Sequence, residues 1–396
     1  MDKTFENSSI YSGFVDPPKG YGNVPFYWWN GDTLDTERID EQLRMLAEGG
    51  VSGVQINFCH YCPEHDPDKT GGGFGKTYVS DPPMFTDKWW AIVNHTFHTA
   101  KSLGLGVGIS DYTLGWIGNG FFVDSVVYDA GLCATELRFK RVPLRRGDTL
   151  PVSENGSLER ILLADGRTDV SSVDDGSCEI PPSGLPVASD RDTADFRVPC
   201  NCFLVEVYTE VNRDSIDVTD PRAGRLLCKL FYEGFLSHLD EDVRDVLNYC
   251  FQDEFISGCD FSKIWSDRLE SEFLAKKGYD IIPHLHELFT DECGKQNAAK
   301  IRLDYADVRT SLVEKGYFEP IYEFHRSRGL IYGCDQCSRG YNPAEYGDYF
   351  RALKYFTAPG NDTPDRYADL IKVKVSSSAA HLYGHERVWL EGYPSS

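Results

Sequence analysis

The 396-residue sequence contains no apolar run approaching the ~20 residues that a membrane-spanning helix requires. It has no coiled-coil heptads, no repeat array and no low-complexity tract. Basic residues are scarce: 40 Lys and Arg stand against 62 Asp and Glu, a net charge of −22. That deficit leaves no basic face to meet phosphates, which excludes a nucleic-acid partner, and it opposes docking on anionic lipid. The opening Met1-Asp2-Lys3-Thr4-Phe5-Glu6 lacks the basic-then-apolar order of a secretory signal. The expectation is therefore a soluble, cytoplasmic chain. The run Gly71-Gly72-Gly73-Phe74-Gly75 lacks the Lys-Ser/Thr of a P-loop and reads as a loop near a pocket mouth. What is abundant suits a globular core, with 41% hydrophobic and 13% aromatic residues. The length allows two or three domains, or one barrel with insertions.

The twelve cysteines are dilute over this length and, without an export signal, read mostly as reduced, buried thiols. Two pairs have C-x-x-C spacing, Cys59–Cys62 and Cys334–Cys337, and could together offer four thiolates to zinc. Neither sits in a compact knuckle, so a zinc enzyme stands as an alternative and not as the main reading. His60 and His65 read as solvated loop residues.

The first hundred residues repeat strand, loop, helix. Val24–Trp29 reads as a strand, and Ile39, Leu43 and Leu46 mark one face of the helix that follows, which Gly49-Gly50 stops. Val51–Phe58 and Gly104–Ser110 read as buried parallel strands, with a helix over Lys88–Ser102 between them. From Leu132 to about Val218 the pattern changes to alternating segments such as Leu137–Val142 and Phe203–Tyr208, an inserted antiparallel module. A helix after Asp220-Pro221 then restores the series. Strands follow at Val246–Glu254, Leu330–Gly333 and Arg387–Tyr393, with helices over 265–277, 298–326 and 364–383. The reading is an α/β fold of (β/α)₈ TIM-barrel type. Only six βα strands are visible where eight close a barrel, so it is expected to be incomplete, its last units missing after Ser396. The expected organisation is a first half of the barrel over 1–131, a β-rich insertion over 132–220 and a second part of the barrel over 221–396.

In such folds functional groups gather where the strands end at their carboxyl side. Polar residues mark these ends: Asn30, Asn57 and His60, Asp111 and Trp116, Asp253 and Glu254, Asp335 and Arg339, and Glu391. Carboxylates with aromatics nearby suit a sugar pocket. Glu254 and Glu391 stand out as a pair, since glycoside hydrolysis needs one protonated and one ionised carboxyl; the competing reading makes them helix caps or partners of arginines. Asn30, Asp111, Trp116, Asp253, Asp335 and Arg339 are candidate substrate contacts. Trp28 and Trp29 straddle a strand, one for the wall and one for the pocket, and Trp89-Trp90 reads as helix packing.

The run Pro25-Phe26-Tyr27-Trp28-Trp29-Asn30-Gly31, followed by a helix and Gly50-Val51-Ser52-Gly53-Val54, resembles the first βαβ unit of the α-L-rhamnosidases of glycoside hydrolase family 106. Gly115-Trp116, Asp253-Glu254, the run Ser376–Gly384 and Val388-Trp389-Leu390-Glu391-Gly392 extend the resemblance over the βα parts of the chain. It implies a (β/α)₈ glycosidase that acts with inversion on a glycoside or oligosaccharide, with Glu254 as general acid and Glu391 as general base. It also implies calcium in the sugar pocket, with no ligand assigned and no other cofactor required. A barrel that binds carbohydrate without turnover is the rival reading. The chain departs from the family in length, in its lack of a signal and in Tyr249-Cys250-Phe251-Gln252, which leaves the sugar open.

Overall fold

The computed structural model describes residues 9–15, 17, 20–30, 33–58, 79–110, 131–153, 156–164, 180–187, 196–252, 261–334, 348–363 and 370–392. In chain order its strands are β1 (Phe26–Trp29), β2 (Gly53–Phe58), β3 (Gly106–Ser110), β4 (Cys133–Leu144), β5 (Glu159–Ala164), β6 (Leu185–Pro186), β7 (Cys202–Ile216), β8 (Leu247–Gln252), β9 (Ile264–Trp265), β10 (Ile331–Cys334), β11 (Gly360–Thr363) and β12 (Trp389–Gly392). The helices are α1 (Ser9–Val15), α2 (Thr36–Glu48), α3 (Asp87–Ser102), α4 (Ala223–Leu227), α5 (Gly234–His238), α6 (Asp267–Lys277), α7 (Lys295–Val313), α8 (Glu319–Ser327), α9 (Tyr349–Ala352) and α10 (Leu370–Tyr383). The chain divides into two compact units, one of 1–132, 222–257 and 316–396, the other of 133–221 and 258–315.

In the first unit β1, β2, β3, β8 and β10 form one five-stranded sheet in that order, and β11 pairs with β12. Every pair in these two sheets is parallel, and Gly333 of β10 bridges to Ala358 just before β11. The five strands and the two make seven parallel strands among the described residues, one more than the six read from the sequence. The addition is β11, whose Gly-Asn-Asp-Thr carries no apolar residue. Its pattern is that of a turn, and only the ladder to β12 makes it a strand.

Helices cover one face of the large sheet. Thr86 caps α3 by accepting from the Trp89 N–H at 3.4 Å, and Asp35 caps α2 in the same way through the Arg38 N–H at 2.8 Å. Trp89, Val93, Phe97 and Ala100 recur at helical spacing and are buried. Trp89 packs edge-on against Trp29 at 6.5 Å and tilted against Phe58 at 5.3 Å. Trp29 thus belongs to the helix side, while Trp28 is 37% exposed on the other face.

That other face is built from glycines and large aromatics. A Cβ on Gly53 would meet the Tyr249 ring at 2.8 Å, one on Gly106 the same ring at 2.6 Å, and one on Gly333 the Trp389 indole at 2.2 Å. The missing side chains leave the space that the rings fill. Phe26 of β1 reaches Phe251 of β8, ring centroids 5.7 Å apart. Trp389 of β12 stacks on the same Phe251 at 5.2 Å and 13°. Three strand spacings separate β1 from β8 in the sheet order, about 14 Å if flat, so the sheet curls strongly around these rings.

The second unit carries an antiparallel sheet in the order β6-β5-β7-β4-β9. Leu137 and Val207 of the sheet pack with Trp265, Leu269 and Phe273 of the β9–α6 segment and with Ile301, Tyr305, Val308 and Leu312 of α7. The sequence reading places α6 and α7 in the second part of the barrel, but 258–315 clusters with the antiparallel strands instead. The physical reason is β9: Ile264 and Trp265 pair with Glu136 and Thr135 of β4, and the two helices then cover that sheet. Inside the unit, Arg160 Nε and Glu206 Oε1 form an almost fully buried ion pair at 2.7 Å.

Candidate active site at the strand ends

The parallel ladders fix which side chains share the inner face. Asn361 and Asp362 alternate across β11, and the Ser376 hydroxyl of α10 donates to Asn361 Oδ1. Asn361 therefore faces the helix and Asp362 faces inward. On β12, Trp389 lies on the inner face against Phe251 and Gly333, so Glu391, two residues on, faces inward as well. Asp362 and Glu391 are direct partners in the β11–β12 register. Adjacent strands run about 4.8 Å apart, which sets two carboxylates side by side at the carboxyl ends of neighbouring strands. Asp362 is buried, and Glu391 Oε2 is shielded from solvent.

Two more polar side chains sit at corresponding ends. Asn57 of β2 pairs in register with Trp28, and it follows Gln55, whose Oε1 lies where a Gly108 Cβ would be, 2.3 Å away. Ser110 ends β3, two residues beyond Gly108. Both Asn57 and Ser110 are buried. At the end of β8, Gln252 turns the other way and donates from Nε2 to the Tyr317 hydroxyl at 3.2 Å.

A cavity of about 860 Å³ runs along β1 and β12, lined mostly by residues that precede the strands (20–25 and 386–388) and reaching past Phe26, Trp28, Tyr249 and Trp389 to Glu391; Asp362 does not line it. Burial holds the Tyr249 phenol above its ordinary pKa, with Asn248 opposing. Arg387 is the basic residue of this lining, and its guanidinium lies 4.5 Å over the Tyr21 ring. An aromatic wall beside carboxylates can hold the C–H face of a sugar while the acids handle its hydroxyls or its leaving oxygen.

Of the residues nominated from the sequence, the structure places Glu391 on the cavity wall and Asn30, half-buried, directly after β1. Asn30 does not line the cavity. Glu254, Asp253, Asp111, Trp116, Asp335 and Arg339 lie outside the described residues, as do Cys59, Cys62 and Cys337 of the C-x-x-C pairs. Cys334 is a buried free thiol, as are Cys202, Cys228 and Cys250, in line with cysteines used as small hydrophobes. Cys200, by contrast, is disulfide-bonded. Among the described residues one group has metal-ligand spacing, the exposed His98, Asp240 and Asp242; His98 Nε2 is already paired with Asp240 at 2.9 Å. No helix among them is long and apolar enough to cross a membrane.

The site residue that sequence reading misses is Asp362. The signal available for it is spacing: it precedes Glu391 by 29 residues, the length of one strand–helix–strand step.

No family model matches the chain, and no curated protein matches it. Among solved structures, the fold is shared with a rhamnosidase from Novosphingobium sp. PP1Y, with a TM-score of 0.61 and 12% identity over 97% of this chain and 53% of that one. An isomaltulose synthase from Klebsiella sp. LX3 is a looser match, with a TM-score of 0.36 and 8% identity over 93% and 56% of the two chains. The chain spans about half the length of either protein. The likeness to the rhamnosidase is one of fold, a mixed α/β architecture with a curled parallel sheet.

Proposed function

We propose that the protein is a glycoside hydrolase whose active site is the inner carboxyl end of the parallel strands, built on a barrel of (β/α)₈ type. The observation that carries this reading is the in-register pair Asp362–Glu391, of which Glu391 also lines an aromatic-walled cavity. The shared fold with a rhamnosidase supports the same class, and an α-L-rhamnoside is the first substrate to try.

In this mechanism Glu391 acts as general base. Its carboxylate takes a proton from a water molecule, which attacks the anomeric carbon on the face opposite the leaving group. Glu254 acts as general acid and protonates the glycosidic oxygen, so the configuration inverts. Such pairs stand ~6.5–9.5 Å apart to admit the water. Asp362, on the neighbouring strand, orients Glu391 and strengthens the local negative charge. Asn30, Asp111, Trp116, Asp253, Asp335 and Arg339 are the proposed sugar contacts. The carboxylate of Asp362 would suit a calcium ion, which prefers carboxylate and carbonyl oxygen; bound there, it would hold sugar hydroxyls.

The test is hydrolysis of p-nitrophenyl glycosides, beginning with the α-L-rhamnoside, by the wild type and by Glu391→Gln and Asp362→Asn. Loss of ~10²-fold or more in kcat for Glu391→Gln, with sugar binding retained, is expected. Proton NMR of the first-formed anomer reads the stereochemistry. Binding of the sugar without turnover in the wild type would overturn the hydrolase reading in favour of a carbohydrate-binding barrel.

A further inference from the structure

The second unit holds a thiol, an imidazole and a carboxylate in one hydrogen-bonded row, none of them a residue of the strand-end site. Glu159 of β5 receives two bonds from His286: the backbone N–H reaches Oε2 at 2.7 Å, and ring Nδ1 reaches Oε1 at 2.7 Å. A carboxylate on Nδ1 places the proton there and leaves a lone pair on Nε2. That nitrogen lies 3.3 Å from Cys293 Sγ, so the thiol S–H is the donor. Glu159 and His286 are buried, at 7% and 1% exposure, while Cys293 is only half-buried and reaches solvent.

Cys293 also immediately precedes Gly294, the N-cap of α7, a helix of 19 residues whose first turn has no side-chain cap. The positive dipole end of such a helix is suited to negative charge developing on a carbonyl oxygen. Burial, helped by the carboxylates of Glu287, Glu159 and Glu292, pushes the Cys293 thiol up to about 11. A redox thiol needs a standing thiolate. Here the thiol can act as a nucleophile only by giving its proton to the adjacent base, His286 Nε2 at 3.3 Å.

The geometry points to Cys293, His286 and Glu159 as a nucleophilic acyl-transfer site whose substrates are carbonyl esters or thioesters. Cys293 Sγ attacks the carbonyl carbon while its proton passes to His286 Nε2. The bond from that carbon to the leaving oxygen or sulfur breaks, and the leaving atom takes the proton from Nε2. The products are an S-acyl cysteine and a free alcohol or thiol. Water then attacks the acyl carbon, giving its proton to Nε2, and the departing sulfur recovers a proton to restore the thiol and release a carboxylic acid. Glu159 is a positioning residue that holds the imidazole tautomer.

The probe is p-nitrophenyl acetate at pH 7.5, with the acetylated peptides located by mass spectrometry. In the wild type, Cys293 is expected to acetylate about tenfold or more faster than Cys133, the other half-buried free thiol among the described residues. His286→Gln, checked for folding by circular dichroism, is expected to lower the Cys293 rate by roughly 100-fold. Acetylation of Cys293 no faster than that of Cys133 overturns the proposal without recourse to any variant. An unchanged Cys293 rate in folded His286→Gln overturns it equally.

Discussion

Gly333 offers a direct measure of how tightly the inner face is packed. Its φ lies outside the left-handed region, so alanine there brings no backbone strain of its own. The added Cβ would come within 2.2 Å of Trp389 Cε3 and 2.4 Å of Cδ2, far inside van der Waals contact. The indole cannot tilt freely, because it is stacked on Phe251 at 5.2 Å. Overpacking a filled core costs about 1–3 kcal/mol, and loss of the aromatic stack adds about 0.5–1.5 kcal/mol. Gly333→Ala should therefore destabilise the protein by roughly 2–4 kcal/mol by these two terms. Combining Gly333→Ala with Trp389→Ala separates the steric clash from other effects. With the indole gone, the alanine has nothing to strike, and its own cost should fall to near zero. The double mutant should then be more stable than the sum of the two single changes predicts, by about 2–4 kcal/mol on the same estimates. Urea denaturation of the four proteins, followed by far-ultraviolet circular dichroism, reads this coupling. Single costs that add to within about 0.5 kcal/mol would refute the packing argument.

Three other outcomes follow from the same geometry. His325 is fully buried, stacked on Tyr332 at 4.2 Å, and burial lowers its pKa to about 3. Below pH ~6.5 the unfolded chain takes up a proton that the folded imidazole refuses. Stability should therefore fall with pH from about 6.5 down, by up to ~1.4 kcal/mol per unit, and His325→Phe should flatten that slope; equal slopes in urea titrations at pH 5–7 would refute it. Arg160→Met leaves Glu206 buried without its partner and should cost about 3–5 kcal/mol, whereas the pair Arg160→Met with Glu206→Leu should recover most of it; thermal unfolding of both variants decides. Thr86→Ala removes the α3 cap and should cost only about 1 kcal/mol, a small shift of the urea midpoint.

The elements that are legible in the sequence are those whose own residues carry the reason for their conformation. β2 and β3 are buried on both faces and read as uncharged runs, and α3 announces itself through Thr86 and its apolar spacing. The pair Trp28-Trp29 even showed the two faces of β1, with Trp29 on the helix side and Trp28 toward the cavity. Where the reason lies elsewhere in the chain, the local pattern is silent. β9 is two residues long, and its pairing with β4 depends on a strand more than a hundred residues earlier. The row of Glu159, His286 and Cys293 spans a sequence separation of 127 residues before it closes. β11 is the most instructive case. A strand made of Gly, Asn, Asp and Thr buries polar groups, which is costly unless each finds a partner. Asn361 finds one in Ser376, and Asp362 lies beside Glu391 through the ladder. Both partners come from the βα unit that follows, so nothing inside the four residues could mark them as a strand. A site that needs carboxylates inside a sheet must break the hydrophobic pattern by which strands are read, and β11 breaks it at Asp362, the residue proposed to orient Glu391.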